Sequence, residues 1–232
     1  MKKGLRHKLA RRILKLAEFI HGEDEDFPRI QYIRHKKWFS AIRETDHHLD
    51  HLDLNEHSLV FDVGGYEGSW SEEILKRYNP SIFVFEPVKS YFENIQSKFR
   101  HDKKITTLNF GLSNKYSSLE VSITGDRTST KKEINHSVKQ LIELKSIVDF
   151  LEENEINRVS LIKLNIEGSE YEVLESLIAS NKIHVFDQIL VQFHDFTKDA
   201  HLRMAKIQAA LANHYNLAFQ FPFVWEKWIR KN

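Results

Sequence analysis

Asp62, Glu86, Asn109, Asn165 and His194 each follow a short apolar run, so each is expected at the end of a β-strand. In an open α/β sheet, ligands bind at the edge formed by the C-terminal strand ends. Around Asp62, the stretch Phe61-Asp62-Val63-Gly64-Gly65-Tyr66-Glu67-Gly68-Ser69 leads from an apolar strand through a glycine turn into a helix start. Glycines there remove Cβ atoms where a ligand approaches the backbone, and the helix start adds free N–H groups. Asp62 can receive a cationic group, although the same residues could equally form a tight structural loop. The stretch departs from the dinucleotide fingerprint G-x-G-x-x-G. Tyr66 replaces the second glycine, and Glu67 would set negative charge beside a pyrophosphate, which disfavours hydride chemistry on NAD.

Glu86 ends the run Ser81-Ile82-Phe83-Val84-Phe85 and precedes Pro87, which suits the first turn of a helix. Two readings stand for this acid: it accepts hydrogen bonds from the hydroxyls of a nucleoside ribose, or it caps the helix. His194 follows Ile189-Leu190-Val191-Gln192-Phe193. Imidazole titrates near neutral pH, so His194 is the candidate general base, with a structural hydrogen bond at the strand end as the other reading. Asn165 and Glu167 flank the same edge; Asn165 can hydrogen-bond a ligand, and Glu167-Gly168 can form the turn into a helix. Lys163 shares the face of Asn165, and a buried lysine needs a partner such as Asp62.

The elements that must position these residues alternate. Strands are expected from Ser58 into the glycine turn, over Ser81–Phe85, Lys104–Phe110, Val159–Leu164 and Gln188–Phe193. Helices are expected over Trp70–Tyr78, Pro87–Phe99, Leu144–Asn154, Glu170–Ala179 and His201–His214. Leu119–Ile123 reads as an added hairpin strand, 125–136 as a polar turn-rich stretch, and Leu217–Trp228 as a terminal hairpin. This order implies a mostly parallel sheet with helices on both faces. Residues 1–57 form a helical extension, and 58–232 the ligand-binding domain. Within the extension, Arg29–His57 looks helical, and His47 and His51 stand at i and i+4. No third ligand is near them, so no metal site is expected.

The motifs FDVGGYEG, VFEPV, NFGLS, LIKLNIEGSEYEVLESL and ILVQFHDF, in that order, resemble the FkbM-type family of S-adenosylmethionine-dependent methyltransferases. The similarity runs from about Val60 to the C-terminus, and the ending from Phe221 to Trp228 is similar to one branch. The resemblance implies a Rossmann-like class I methyltransferase fold with a seven-stranded sheet, and S-adenosylmethionine as cofactor. It implies cofactor contacts at Asp62, Gly64, Gly65, Tyr66, Gly68, Glu86, Pro87, Asn109, Gly111 and Asn165. Catalysis is assigned to His194, Asn165 and Glu167. The acceptor it implies is a sugar hydroxyl of a glycan, lipopolysaccharide or related surface polysaccharide precursor. Thr128-Ser129-Thr130 resembles a hydroxyl-bearing loop that closes over the ligand, or is a plain mobile loop. The general family pattern has Asp where Asn165 stands, which weakens the case for a metal-binding carboxylate there.

The whole chain carries a net charge of +1, so its global electrostatics names no nucleic-acid partner. It contains no cysteine, which removes disulfides and thiolate metal sites and is compatible with the cytoplasm. No apolar run approaches the length of a membrane-spanning helix. Residues 1–20 nevertheless pattern as a basic amphipathic helix. Leu5, Leu9, Ile13, Leu16 and Ile20 form an apolar stripe, and Lys8, Arg11 and Lys15 lie on the other side. Such a helix either lies peripherally on an anionic membrane surface or packs on the domain. Two other classes of protein compete with an enzyme of this family: a non-catalytic methyltransferase-like module that binds glycan-assembly partners or membrane, and a dinucleotide oxidoreductase. Asp62, Gly64, Gly68 and Glu86 argue against the first, and the missing fingerprint glycine against the second.

Overall fold

The computed structural model describes residues 27–44, 53–124, 127–129 and 138–231. The amphipathic pattern of residues 1–20, the pair His47 and His51, and Thr130 lie outside them. The chain divides into two units, Met1–Thr45 and Asp46–Asn232. In the first, α1 (Phe27–Glu44) carries Pro28 in its opening turn, where a missing N–H costs nothing. Residues 53–57, expected to be helical, instead form a turn. Asp53 adopts φ +74°, and the Asn55 side chain accepts the His57 N–H, a local bond that competes with helix.

In the second unit, β1 (Leu59–Val63), α2 (Ser69–Tyr78), β2 (Ser81–Phe85), α3 (Lys89–Lys98) and β3 (Ile105–Leu108) alternate. The chain then builds β4 (Gly111–Ser113), β5 (Ser117–Thr124), β6 (Arg127–Ser129) and β7 (Val138–Ser146). It returns through α4 (Ile147–Glu153), β8 (Leu161–Leu164), α5 (Glu170–Ala179), β9 (Gln188–Val191) and α6 (Ala200–Leu211). A hairpin of β10 (Tyr215–Phe221) and β11 (Trp225–Arg230) completes it. The main sheet has seven strands in the order β10-β11-β9-β8-β1-β2-β3, with β11 antiparallel to both of its neighbours and the other pairs parallel. Chain order reverses between β1 and β8, and in open α/β sheets ligands bind at the C-terminal strand ends beside such a reversal.

Alternation along β1 divides the core between the two faces. Val60, with Ile82, Val84, Leu161 and Leu190, packs with Ile74 of α2 and Ile95 of α3. Phe61, one residue on, belongs to the opposite cluster with Phe85, Ile162, Phe150 of α4 and Leu174 of α5. Its ring meets Phe85, Phe150 and Phe186 edge-on at centroid distances of 5.2, 5.9 and 6.2 Å. Asp62 and Lys163 fall on the α2 and α3 face by the same period of two, opposite one another in register.

Two further features differ from the sequence expectation. The helix expected over Leu144–Asn154 begins only at Ile147, because Ser146 caps it by accepting the Asp149 N–H at 3.2 Å. The residues before it belong to a second, four-stranded sheet in the order β4-β7-β5-β6, of which only one hairpin strand was anticipated. Val121, Ile142 and Leu144 of this sheet bury against Val88, directly before α3.

Candidate active site

The glycine loop after β1 is held from three sides. Gly64 and Gly65 both donate their N–H to the Phe85 carbonyl, at 3.0 and 3.2 Å. A Cβ on Gly64, whose φ is +88°, would collide with the Asn165 carbonyl oxygen, and one on Gly65 with Val84. A Cβ at Gly68 would lie 2.8 Å from the Phe99 ring. Close packing with β2, α3 and the end of β8 requires these glycines.

Beneath the loop lies a buried ion pair. Lys163 Nζ donates to Asp62 Oδ1 at 2.8 Å and to the Gly64 carbonyl at 2.7 Å. Ser71 Oγ donates to Asp62 Oδ2 at 2.6 Å, and the Trp70 ring lies 5.8 Å from Nζ. Asp62 is fully buried, so the cation it receives is Lys163, and it acts on the site by fixing the loop.

Glu86 ties the loop to the end of β2. Its Oε2 accepts the Tyr66 N–H at 2.8 Å and its Oε1 the Val88 N–H at 2.9 Å. The second bond reaches the residue capping α3, so the helix-capping reading describes one of its two oxygens. Pro87 lies two residues ahead of α3 rather than in its first turn. Asn109 is exposed, and its amide donates to the Glu86 and Pro87 carbonyls at 3.0 and 3.2 Å. Gly111 is buried in β4, where a Cβ would come within 2.6 Å of Leu144 on the paired strand β7 and 3.4 Å of Pro87, so the lack of a side chain leaves room for both. Burial pushes the Glu86 carboxyl up to about 7, against the two N–H donors and Lys163, which pull it down. Between the ordinary carboxylate pKa and about 7, the folded protein keeps a proton that the unfolded chain has released. Stability therefore declines as pH rises through that window, by on the order of 3 kcal/mol.

Farther along the strand ends, His194 is anchored by residues that sequence reasoning missed. Glu170, fully buried, accepts the His194 N–H on Oε1 at 2.7 Å and the Gly168 N–H on Oε2 at 2.8 Å. His194 Nδ1 lies 3.0 Å from the same Oε1. Tyr171 Oη donates to the His194 carbonyl at 2.7 Å. The only available signal was Glu170 in the first turn of a helix, where an acid ordinarily complements the helix dipole. His194 Nε2 lies 4.0 Å from Glu167 Oε1, which brings those two expected residues together. Burial works to lower the His194 pKa, but the hydrogen bond and charge of Glu170, with Glu167 and Asp195, outweigh it and leave the ring above the ordinary histidine value. Asn165 continues β8 through its N–H to the Val63 carbonyl at 3.1 Å, and its carboxamide makes no hydrogen bond to protein among the described residues.

Glu86, the glycine loop, Asn165 and His194 thus follow the ends of four adjacent strands, β2, β1, β8 and β9. Three strand spacings amount to about 14 Å, the scale of a nucleoside joined to an amino acid. Asn109 sits beside Glu86, and Gly111 beside Pro87. In doubly wound α/β sheets this edge, beside the point where chain order reverses, is where ligands bind.

Residues 62–217 match the model of the Methyltransferase FkbM domain, and the chain belongs to that family. It is a methyltransferase whose methyl donor is S-adenosylmethionine. A curated relative, "Methyltransferase 1" of Beauveria bassiana (strain ARSEF 2860), is 25% identical over 167 residues, covering 61% of this chain and 67% of that protein. Among solved structures, the Methanococcus jannaschii fibrillarin pre-rRNA processing protein aligns with a TM-score of 0.47 at 14% identity, over 79% of this chain and 71% of its own. The SAH-bound Podospora anserina methyltransferase PaMTH1 aligns with a TM-score of 0.45 at 8% identity, over 75% and 72%.

Replacing one member of a buried ion pair strands the other. Lys163→Met should cost about 3–5 kcal/mol in denaturant unfolding, with part of the loss recovered when Asp62→Leu is added. A loss below about 1 kcal/mol in the single variant would remove the pair from its place as the anchor of the loop.

Proposed function

We propose that this methyltransferase transfers the methyl group of S-adenosylmethionine to a sugar hydroxyl of a glycan, lipopolysaccharide or related surface polysaccharide precursor. The observation that carries the proposal is the row of Glu86, glycine loop, Asn165 and His194 along four adjacent strand ends. Glu86 fits a nucleoside diol, because a carboxylate has about four lone-pair positions and Tyr66 and Val88 occupy two. Hydroxyl donors there would relieve the desolvation that raises its pKa. When bound, the sulfonium supplies an already electrophilic methyl group. The protein's task is then to hold a nucleophile in line and remove its proton. His194 takes that proton from the acceptor hydroxyl. Asn165 hydrogen-bonds the methionine portion or the acceptor, and Glu167, close to His194 Nε2, orients the acceptor. The base supports a hydroxyl as nucleophile; the sugar class rests on the resemblance of the sequence motifs. Mass spectrometry of host glycans with and without the gene, seeking a change of one methyl mass, tests the acceptor.

The same proposal includes a cytoplasmic location, with residues 1–20 holding the enzyme peripherally on the inner membrane face. Among the described residues no helix is long and apolar enough to cross a membrane. Each basic residue near an anionic surface contributes about 1 kcal/mol, and the attraction decays within a Debye length. The full chain should co-sediment with anionic vesicles at low salt and be released at high salt. Indifference to such vesicles would end the membrane proposal.

Glu86→Ala should weaken binding of S-adenosylmethionine by about 1.5–3 kcal/mol, the loss expected for hydrogen bonds to a charged group. Wild-type affinity should also fall as pH drops below about 7, because the ionised carboxylate is the form that accepts both hydroxyls. Calorimetric titration checks both. Unchanged affinity in a folded Glu86→Ala variant would remove Glu86 from the cofactor site.

A further inference from the structure

We propose that Glu170 is a positioning residue for His194: its buried carboxylate holds the ring as the Nδ1–H tautomer and leaves Nε2 as the atom that receives the acceptor's proton. This rests on the reading of His194 as the base. A carboxylate only accepts hydrogen bonds, so the 3.0 Å contact between Nδ1 and Glu170 Oε1 places the neutral ring's hydrogen on Nδ1. Further bonds hold the histidine's backbone and its partner. The same Oε1 accepts the His194 backbone N–H, the other oxygen accepts the Gly168 N–H, and Tyr171 Oη donates to the His194 carbonyl. Tyr171 is itself covered by the Arg203 guanidinium, 4.8 Å from its ring centre, and Arg203 is held by Glu172 and Glu175. The Phe196 ring lies 4.9 Å from the imidazole.

A helix-capping role would explain the Gly168 bond alone. It leaves unexplained why the second oxygen of a fully buried acid is spent on both the backbone and the ring of His194. The charged groups facing the ring are Glu170 and Glu167, from α5 and the turn before it, and Asp195 on its own segment. With Nδ1 committed, the step balances. The acceptor oxygen forms its bond to the methyl carbon as the carbon–sulfur bond breaks, the thioether leaves, and the hydroxyl proton passes to Nε2, giving an imidazolium whose second N–H remains on Glu170.

Long-range ¹H–¹⁵N NMR of the full chain reads the tautomer directly and needs no acceptor. In the wild type, above the ring's pKa, Nδ1 should carry the hydrogen and Nε2 should be bare. Glu170→Gln should lower the His194 titration midpoint by about one pH unit or more and weaken the Nδ1–H preference. Under saturating methyl donor, its kcat should fall by about 10- to 100-fold, with donor KM within about threefold of wild type. A wild-type ring protonated on Nε2 overturns the proposal, even if the variant does not fold. So does a folded Glu170→Gln with unchanged tautomer and midpoint. His194→Ala separates the two readings: if it retains methyl transfer while the wild-type ring is the Nδ1–H tautomer, the clamp stands and the base assignment fails.

Discussion

The buried pair of Lys163 and Asp62 is the interaction on which the site depends. It joins β8 to β1 in register and, through the Gly64 carbonyl, fixes the loop that follows β1. Two charges removed from water are expensive, and their attraction offsets that cost only when further hydrogen bonds complete them. Ser71 and the Gly64 carbonyl supply those bonds. Any shift of β8 against β1 would break the pair and carry Asn165 away from Gly64. The pair therefore couples the loop after β1 to the strand that leads into α5.

From this anchor the two halves of the site differ in their electrostatics. Glu86 is an acid whose burial is only partly compensated, so its environment favours a ligand that brings hydroxyl donors. His194 lies in an acid-rich environment, with Glu170 committed to Nδ1 and Glu167 near Nε2. An acid-rich edge also suits a cationic methyl donor whose product is neutral, because attraction to the substrate is lost once transfer is complete. The groups proposed to bind the donor and to remove the proton are thus separated by about three strand spacings.

Much of the fold was legible because the central strands are buried on both faces. Ser81–Phe85 and Glu170–Ala179 coincide with the sequence expectation, helped by the acid and proline after the strand and the polar turn before the helix. The second sheet was not legible. In β7, Leu141, Ile142 and Leu144 run on to Ile147 and Val148 with spacings that also suit a helix, and only the Ser146 cap separates strand from helix. At the site, the positions of Asp62, Glu86, Asn165 and His194 followed from strand ends, as did the Lys163 partner. What escaped was tertiary: Glu170 and Tyr171 acquire their meaning from a strand end 24 and 23 residues away. The glycine loop was found for its pattern, whereas the packing that demands it came from β2, α3 and β8.

A crystal structure of the chain with S-adenosylhomocysteine tests the central claim most directly. The ribose hydroxyls should hydrogen-bond the Glu86 carboxylate, with the ligand running along the strand ends from β2 toward β8 and its sulfur on the side of His194. A nucleoside bound at the opposite end of the sheet, or seated at this edge with its ribose away from Glu86, would contradict it.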